Sequence, residues 1–297
     1  MKEKTIYALG FFDGVHLGHA ALLRKCRKLA EEQGCKAAAV TFSSHPDTLV
    51  LGKTPSLINT IEDRVRLLKA AGMDDVVVLP FDQKMQSMPW QDFLDLLRED
   101  YHAAGFVCGY DFRFGHMGAG NETNLRAYCQ EHNLCCAFEA KVRLGEYRVS
   151  STYIRTLLEK GSMLSAKLFL GHPHILTGEV VSGRKLGRTL GIPTANLQLP
   201  EELVKLPFGV YACKAEVDGK TYLAVTNIGN RPTVGGHRVT VEPWLLDFEG
   251  DLYGKELTLS FHHFLRPEQK FPSLDALKEE ILKNAAETRK IFENNTK

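Results

Sequence analysis

The chain has 297 residues, 44% of them hydrophobic and 25% charged, enough for two globular cores. Lys plus Arg (37) nearly balance Asp plus Glu (36), which argues against a general polyanion-binding surface and predicts no nucleic-acid partner. No signal-peptide pattern or bilayer-length apolar run is present, so a cytoplasmic protein without a membrane partner is expected.

The first half alternates strands and helices. Short apolar runs at Thr5–Gly10 and Lys36–Phe42 predict buried strands. Between them, Leu22, Leu23, Cys26, Leu29 and Ala30 recur at helical spacing. Thr60 and Asp63 form a capping-box-like start for a helix through Leu68, which Gly72 stops. A strand at Val76–Leu79, a helix from Pro89, a strand at Phe106–Cys108, a helix at Glu122–His132 and a strand at Cys135–Phe138 follow. Such alternation predicts a parallel sheet with helices on both faces, a Rossmann-like domain over residues 1–172.

Beyond the boundary near Gly171-His172-Pro173 the texture changes. Gly178–Val181, Gly209–Val217, Thr221–Asn227, Arg238–Leu246 and Glu256–His263 read as strands, with Asp218-Gly219 as a hairpin turn. Only Ser273–Ile291 reads as a helix. Residues 173–297 are therefore expected to form an antiparallel β-barrel with a C-terminal helix packed on it. The seven cysteines lack zinc or redox spacing and read as reduced core or near-core thiols.

Two segments carry the chemistry. Gly10-Phe11-Phe12-Asp13-Gly14-Val15-His16-Leu17-Gly18-His19 joins the first strand to the first helix. Gly14 allows a sharp turn, Gly18 allows close approach of a ligand, and the helix N-terminus offers free N–H groups to phosphate. His16 and His19 fall on one face and are placed to donate hydrogen bonds as an α-phosphorus is attacked. Without nearby Cys or carboxylate ligands the pair is a poor metal site.

The second segment is Gly187-Arg188-Thr189-Leu190-Gly191-Ile192-Pro193-Thr194-Ala195-Asn196. No P-loop motif exists in the chain, so a kinase here needs another scaffold. Pro193 stiffens the backbone, so Thr194 and Asn196 are expected on one face of an extended segment, where two neutral oxygens suit Mg²⁺ held mainly by ATP phosphates and water.

The HxGH segment in its strand–turn–helix setting, Thr41-Phe42 with His45-Pro46, Gly109–Gly115 with Gly120-Asn121, and Ser150-Ser151-Thr152-Tyr153-Ile154-Arg155 resemble prokaryotic FAD synthetases. The PTAN segment, Asn227–Thr233, Glu242–Phe248, Asp251–Lys255 and Leu265-Arg266 resemble riboflavin kinases in order and spacing. Together they resemble the bifunctional riboflavin kinase/FAD synthetase family along nearly the whole chain. The resemblance implies that the C-terminal domain phosphorylates riboflavin and the N-terminal domain transfers AMP from ATP to FMN, both with Mg²⁺.

It also implies roles for particular residues. His16, His19 and Arg155 would act in adenylyl transfer, with Gly10, Phe11, Phe12, Asp13, Gly14, Gly18, Ser151 and Thr152 around the phosphates. His45, Pro46, Asp111, Phe112, Phe114, Asn121 and Arg266 would face flavin, although Phe112 and Phe114 suit a core equally well. In the kinase, Glu242 would be the general base, Gly187, Thr189 and Gly191 would meet phosphate, and Thr194 and Asn196 the metal. The family's Glu-x-His is here Glu242-Pro243-Trp244, and Ser182 stands where a His is common, which puts kinase efficiency in question. Pro243 implies an edge strand or bulge beside the base. The remaining alternatives are a paralogue with one working activity, another nucleotidyltransferase with an appended barrel, or a non-catalytic flavin sensor.

Overall fold

The computed structural model describes residues 3–50, 52, 55–182, 191–198, 200–233 and 236–294; Gly187 and Thr189 lie outside them. The chain packs as two compact units, Met1–Leu57 with Ile61–Ser151, and Ile58–Thr60 with Thr152–Lys297.

The first unit contains β1 (Thr5–Leu9), α1 (Leu17–Gln33), β2 (Lys36–Phe42), α2 (Pro46–Val50), α3 (Ile61–Ala70), β3 (Asp75–Leu79), α4 (Gln83–Ser87) and α5 (Trp90–Glu99). It continues through β4 (Ala103–Gly109), α6 (Glu122–Glu131), β5 (Cys135–Glu139) and a small hairpin of β6 (Arg143–Leu144) and β7 (Tyr147–Arg148). Five strands form a parallel sheet in the order β3-β2-β1-β4-β5. Successive side chains serve opposite faces, as strand geometry requires. Ile6 and Ala8 pack with Leu22, Leu23, Cys26 and Leu68 of α1 and α3. Tyr7 and Leu9 pack with Phe93, Leu97, Leu125 and Tyr128 of α5 and α6. The sheet is thus covered on both sides, the expected Rossmann-like architecture. Chain order reverses between β1 and β4, so the loops after those two strands flank a topological switch point, where such sheets bind ligands.

Helix α7 (Ser151–Glu159) straddles the division, and α8 (Met163–Leu170) belongs to the second unit, lying against β8 (His174–Glu179) and β12 (Glu256–Pro267). Strands β9 (Gly209–Val217), β10 (Lys220–Thr233) and β11 (Gly236–Leu245) complete an antiparallel sheet in the order β11-β10-β9-β12-β8, and α9 (Leu274–Asn294) follows. Asp218 and Gly219, at φ +50° and +72°, make the expected tight turn between β9 and β10. Strand β8 begins at His174, four residues before the expected start at Gly178, because buried His174, Ile175 and Leu176 already pair with β12.

One short segment closes this sheet. Leu197 bridges Val180 just after β8 and Val241 in β11, so residues 195–197 join the two edges of the curled sheet into a barrel. Tyr211, Cys213, Ala224, Thr226, Val241, Leu257, Leu259 and Phe261 are buried along the strands. On the outer face Val210, Val225 and Trp244 pack with Ala285 of α9. The antiparallel barrel with its C-terminal helix is as the sequence predicts. Among the described residues no helix is long and apolar enough to cross a membrane, and all seven cysteines are free thiols.

Candidate functional site

The first constellation lies at the switch point. Between β1 and α1 the chain turns through Phe12 (φ +61°), Gly14 (φ +81°) and Val15 (φ +39°), a run of left-handed backbone that two non-glycine residues adopt at a steric cost. Buried Asp13 sits inside this turn. His16 is the N-cap of α1, and its Nδ1 accepts the backbone N–H of His19 at 3.3 Å. That bond commits the Nδ1 lone pair and leaves Nε2 as the N–H donor.

The His19 ring stacks on His16 with centroids 3.6 Å apart and planes 9° from parallel. Burial first, then the neighbouring His16 and Arg64, hold the His19 imidazole well below its usual pKa, so it is neutral near pH 7. Gly18 also leaves room for the stacked pair: a Cβ there would stand 3.1 Å from His16 Cε1.

Residues distant in sequence are fastened to this turn. The Ser151 hydroxyl, at the start of α7, donates to the Asp13 carbonyl at 2.9 Å, joining the Ser-Ser-Thr segment to the histidine loop. Thr152 and Arg155 follow on α7 and belong to the second unit. His45 lies edge-on to Phe11, centroids 4.5 Å apart, and its Nδ1 accepts the Asp47 N–H ahead of the helix that Pro46 opens.

After β4, Asp111 is held by Lys141 (2.9 Å) and Arg148 (3.3 Å). Partial burial works against ionisation there, but these cations hold its carboxyl below the usual carboxylate range. Phe112 and Phe114 stack at 5.8 Å. Phe114 is buried in the core against Trp90 and Phe93, while Phe112 packs at its edge. Asn121 caps α6, its Oδ1 accepting the Asn124 N–H at 3.2 Å.

Sequence reasoning missed one residue here. Arg64 in α3 has no solvent exposure, and its guanidinium carbon lies 3.9 Å above the Phe11 ring. Its place four residues before buried Leu68, on the same helical face, was the available signal.

The second constellation is on the barrel. The Ala195 N–H donates to the Pro243 carbonyl and the Leu197 N–H to the Val241 carbonyl, both at 2.9 Å. This register sets Asn196 opposite Glu242, side chains on the same outer face. Across β11, Glu242 also pairs with Asn227 of β10, giving the row Asn227–Glu242–Asn196. Ile192, Ala195 and Leu197 are buried while Thr194 and Asn196 are half-exposed, close to the expected alternation. Thr194 also lines a pocket with Pro193, Val180, Phe248, Asp251 and Tyr253.

Pro243 does lie on a terminal strand of the sheet, as its missing donor predicts. Its carbonyl points toward Ala195, so the absent N–H would have pointed the same way and the ladder with β10 is intact. Trp244 covers α9 rather than the row. Gly191 turns at φ +72° with open space where a Cβ would stand. Arg266 donates from Nε to Asn284 Oδ1 (3.1 Å), pairs with Glu280 (3.4 Å) and so tethers α9 to the barrel.

Both halves of the chain resemble known proteins. Residues 1–153 match the FAD synthetase family and residues 170–292 the riboflavin kinase family. The bifunctional riboflavin kinase/FMN adenylyltransferase of Bacillus subtilis (strain 168) is 36% identical over 299 residues, covering 99% of this chain and 94% of its own. That of Haemophilus influenzae is 36% identical over 289 residues, covering 96% and 93%. A crystal structure described as a macrolide-efflux protein from Streptococcus pneumoniae is 28% identical with a TM-score of 0.85, covering 97% of this chain and 95% of that one. That description stands apart from the others, and the two family models and the curated relatives carry the assignment. Both halves of the chain and nearly its full length point one way: it belongs to the bifunctional riboflavin kinase/FMN adenylyltransferase family, phosphorylating riboflavin and adenylylating FMN with ATP.

Proposed function

We propose that residues 1–172 carry out adenylyl transfer at the His16–His19 pair and residues 173–297 carry out the kinase reaction at the Asn227–Glu242–Asn196 row. The reading places the enzyme in the cytoplasm, with riboflavin, FMN and Mg-ATP as its small-molecule substrates.

In adenylyl transfer, an FMN phosphate oxygen attacks the α-phosphorus of ATP and pyrophosphate leaves. The stacked histidines carry this assignment. They stand at a helix N-terminus where N–H groups and the helix dipole favour phosphate. Both donate hydrogen bonds, stabilising charge as it develops on the α-phosphate. Gly10, Phe12, Asp13 and Gly14 shape the turn beneath the triphosphate, Ser151 and Thr152 add donors, and Arg155 neutralises the departing pyrophosphate. His45, Pro46, Phe11, Phe112 and the edge of Phe114 line the flavin side, with Asp111 and Asn121 holding their loop.

In the kinase reaction, which supplies the FMN, Glu242 takes the proton from the riboflavin 5′-hydroxyl as that oxygen attacks the γ-phosphorus of ATP. The register that sets Asn196 opposite Glu242 carries this half. Thr194 and Asn196 supply two neutral oxygens, too few to hold an ion alone but suited to Mg²⁺ brought in on ATP phosphates and water. Bound there, Mg²⁺ would neutralise charge on the β- and γ-phosphates. Gly187, Thr189 and Gly191 would approach those phosphates through backbone N–H groups. Arg266 positions α9 beside the flavin.

The test is incubation with riboflavin and Mg-ATP, following FMN and FAD by chromatography. Wild type should yield FAD. His19→Ala should accumulate FMN with adenylyl transfer down about 100-fold or more. Glu242→Gln should stall at riboflavin yet convert supplied FMN to FAD. Unchanged FAD formation from riboflavin in either variant would sink that half of the assignment.

A further inference from the structure

The most unusual group outside the assigned chemistry is Arg64. It is fully buried in α3, and burial pulls its pKa down to about 10, with Asp13 acting in the opposite direction. One nitrogen, Nη1, donates to Thr41 Oγ1 (3.2 Å) and to the Phe42 carbonyl (3.0 Å) at the end of β2. The Thr41 hydroxyl passes the link on, donating to the Phe11 carbonyl at 2.8 Å. The guanidinium face covers the Phe11 ring. Its Nε and Nη2 are enclosed and find no hydrogen-bond partner among the described residues.

A buried cation with two unsatisfied donors is a poor way to build a core, since an apolar side chain of the same volume would usually serve stability as well or better. Its contacts converge on one place. Through Thr41 and Phe11 it grips the start of the left-handed turn at Phe12, Gly14 and Val15, a backbone that needs outside support to persist. His16 and His19 follow directly. Arg64 also lies within electrostatic reach of His19, alongside His16 on its own loop, and faces Asp13 within the turn.

We propose that Arg64 is a positioning residue for adenylyl transfer, locking the Phe11–Val15 turn and hence the histidine pair against the end of β2. The inference rests on the role proposed for His16 and His19.

The second activity of the chain supplies the internal control. In Arg64→Met, kcat for FMN adenylylation should fall about 30-fold with KM for ATP changing less than about threefold, and riboflavin phosphorylation should stay within twofold of wild type. The acid limb of the adenylylation pH profile should move to higher pH, because His19 loses a cationic neighbour. Arg64→Lys, which keeps the charge but not the planar fork, should hold the acid limb in place and restore part of kcat. Thr41→Val, which cuts the link to Phe11 without touching a charge, should lower kcat with no movement of the acid limb.

If Arg64→Met loses both activities, the Lys and Val variants decide. Adenylylation at wild-type rates in both overturns the proposal, as does a fall in kinase and transferase together in all three. His19→Ala run alongside separates the readings. Full activity there would remove the histidine assignment itself, whereas an inactive His19 variant beside unaffected Arg64 and Thr41 variants would remove only the role given to Arg64.

Discussion

On the proposed assignment, the two units position phosphate chemistry by opposite means. In the first, a turn with unfavourable backbone is held from behind by buried polar groups, Arg64, Thr41 and Asp13, and by Ser151. In the second, the Asn227–Glu242–Asn196 row stands on the outer face of a barrel, aligned by backbone register. The first arrangement stores its precision in side-chain packing and charge, the second in backbone pairing. They should fail under different insults.

The strongest way to break the comparison is at Ala195. Replacing it with proline removes the N–H that bonds to the Pro243 carbonyl and leaves that oxygen unpaired. Kinase activity should fall more than about 100-fold as Asn196 loses its place opposite Glu242. Conversion of supplied FMN to FAD should remain within twofold, and a parallel loss would show that the units are not independent.

Acid should sharpen it next. His174 in β8 is fully buried with neither ring nitrogen partnered among the described residues, and burial, with His172 adding to it, pushes its pKa down to about 3. Above pH ~6.5 it is neutral in both folded and unfolded chains, and stability is full. As pH falls toward 3 the unfolded chain takes up a proton that the fold refuses, so stability is lost at up to about 1.4 kcal/mol per pH unit. Trp90 reports on the first unit and Trp244 on the second, so Trp90→Phe isolates the barrel in urea titrations at pH 7 and pH 5. His174→Phe should flatten the pH dependence of that transition; an unchanged slope would assign it to another group.

A smaller effect is expected at Gly18. Gly18→Ala sets a methyl 3.1 Å from the His16 ring and should lower FMN adenylylation about tenfold, leaving the kinase alone. Wild-type adenylylation would show that the histidine stack tolerates displacement. The least effect should come from Arg289→Ala. Its paired bonds to Asp247, both 2.8 Å, are solvent-exposed, and the urea midpoint of the barrel should not change measurably.

The contrast also explains what the sequence disclosed. Features written in local order were legible. Alternating apolar runs foretold nearly every strand, the HxGH segment fell on the expected turn, and the PTAN segment runs beside β11 outside any named strand. The Asp218-Gly219 hairpin followed from backbone preference alone. Features created by tertiary contact were not. Arg64 reads as a solvated charge until α3 is docked, because only the packed helix brings it against the Phe11 ring. The facing of Asn196 and Glu242 joins segments 46 positions apart, and register at that range is set by barrel closure rather than by either segment. Asn121 illustrates a third case, a polar residue in a functional-looking loop whose side chain caps a helix.

Pro243 has a consequence beyond catalysis. Until residues 195–197 dock along it, β11 presents a bare strand edge to any other chain. With no N–H at its centre, that edge offers an interrupted row of donors, and a second copy cannot zip along it without leaving a gap. Residues 195–197 ask only a carbonyl of Pro243 and bond the Val241 carbonyl besides, so the chain supplies a partner that fits. A proline at this place is suited to disfavour pairing with another chain along a bare edge while admitting the segment that closes the barrel.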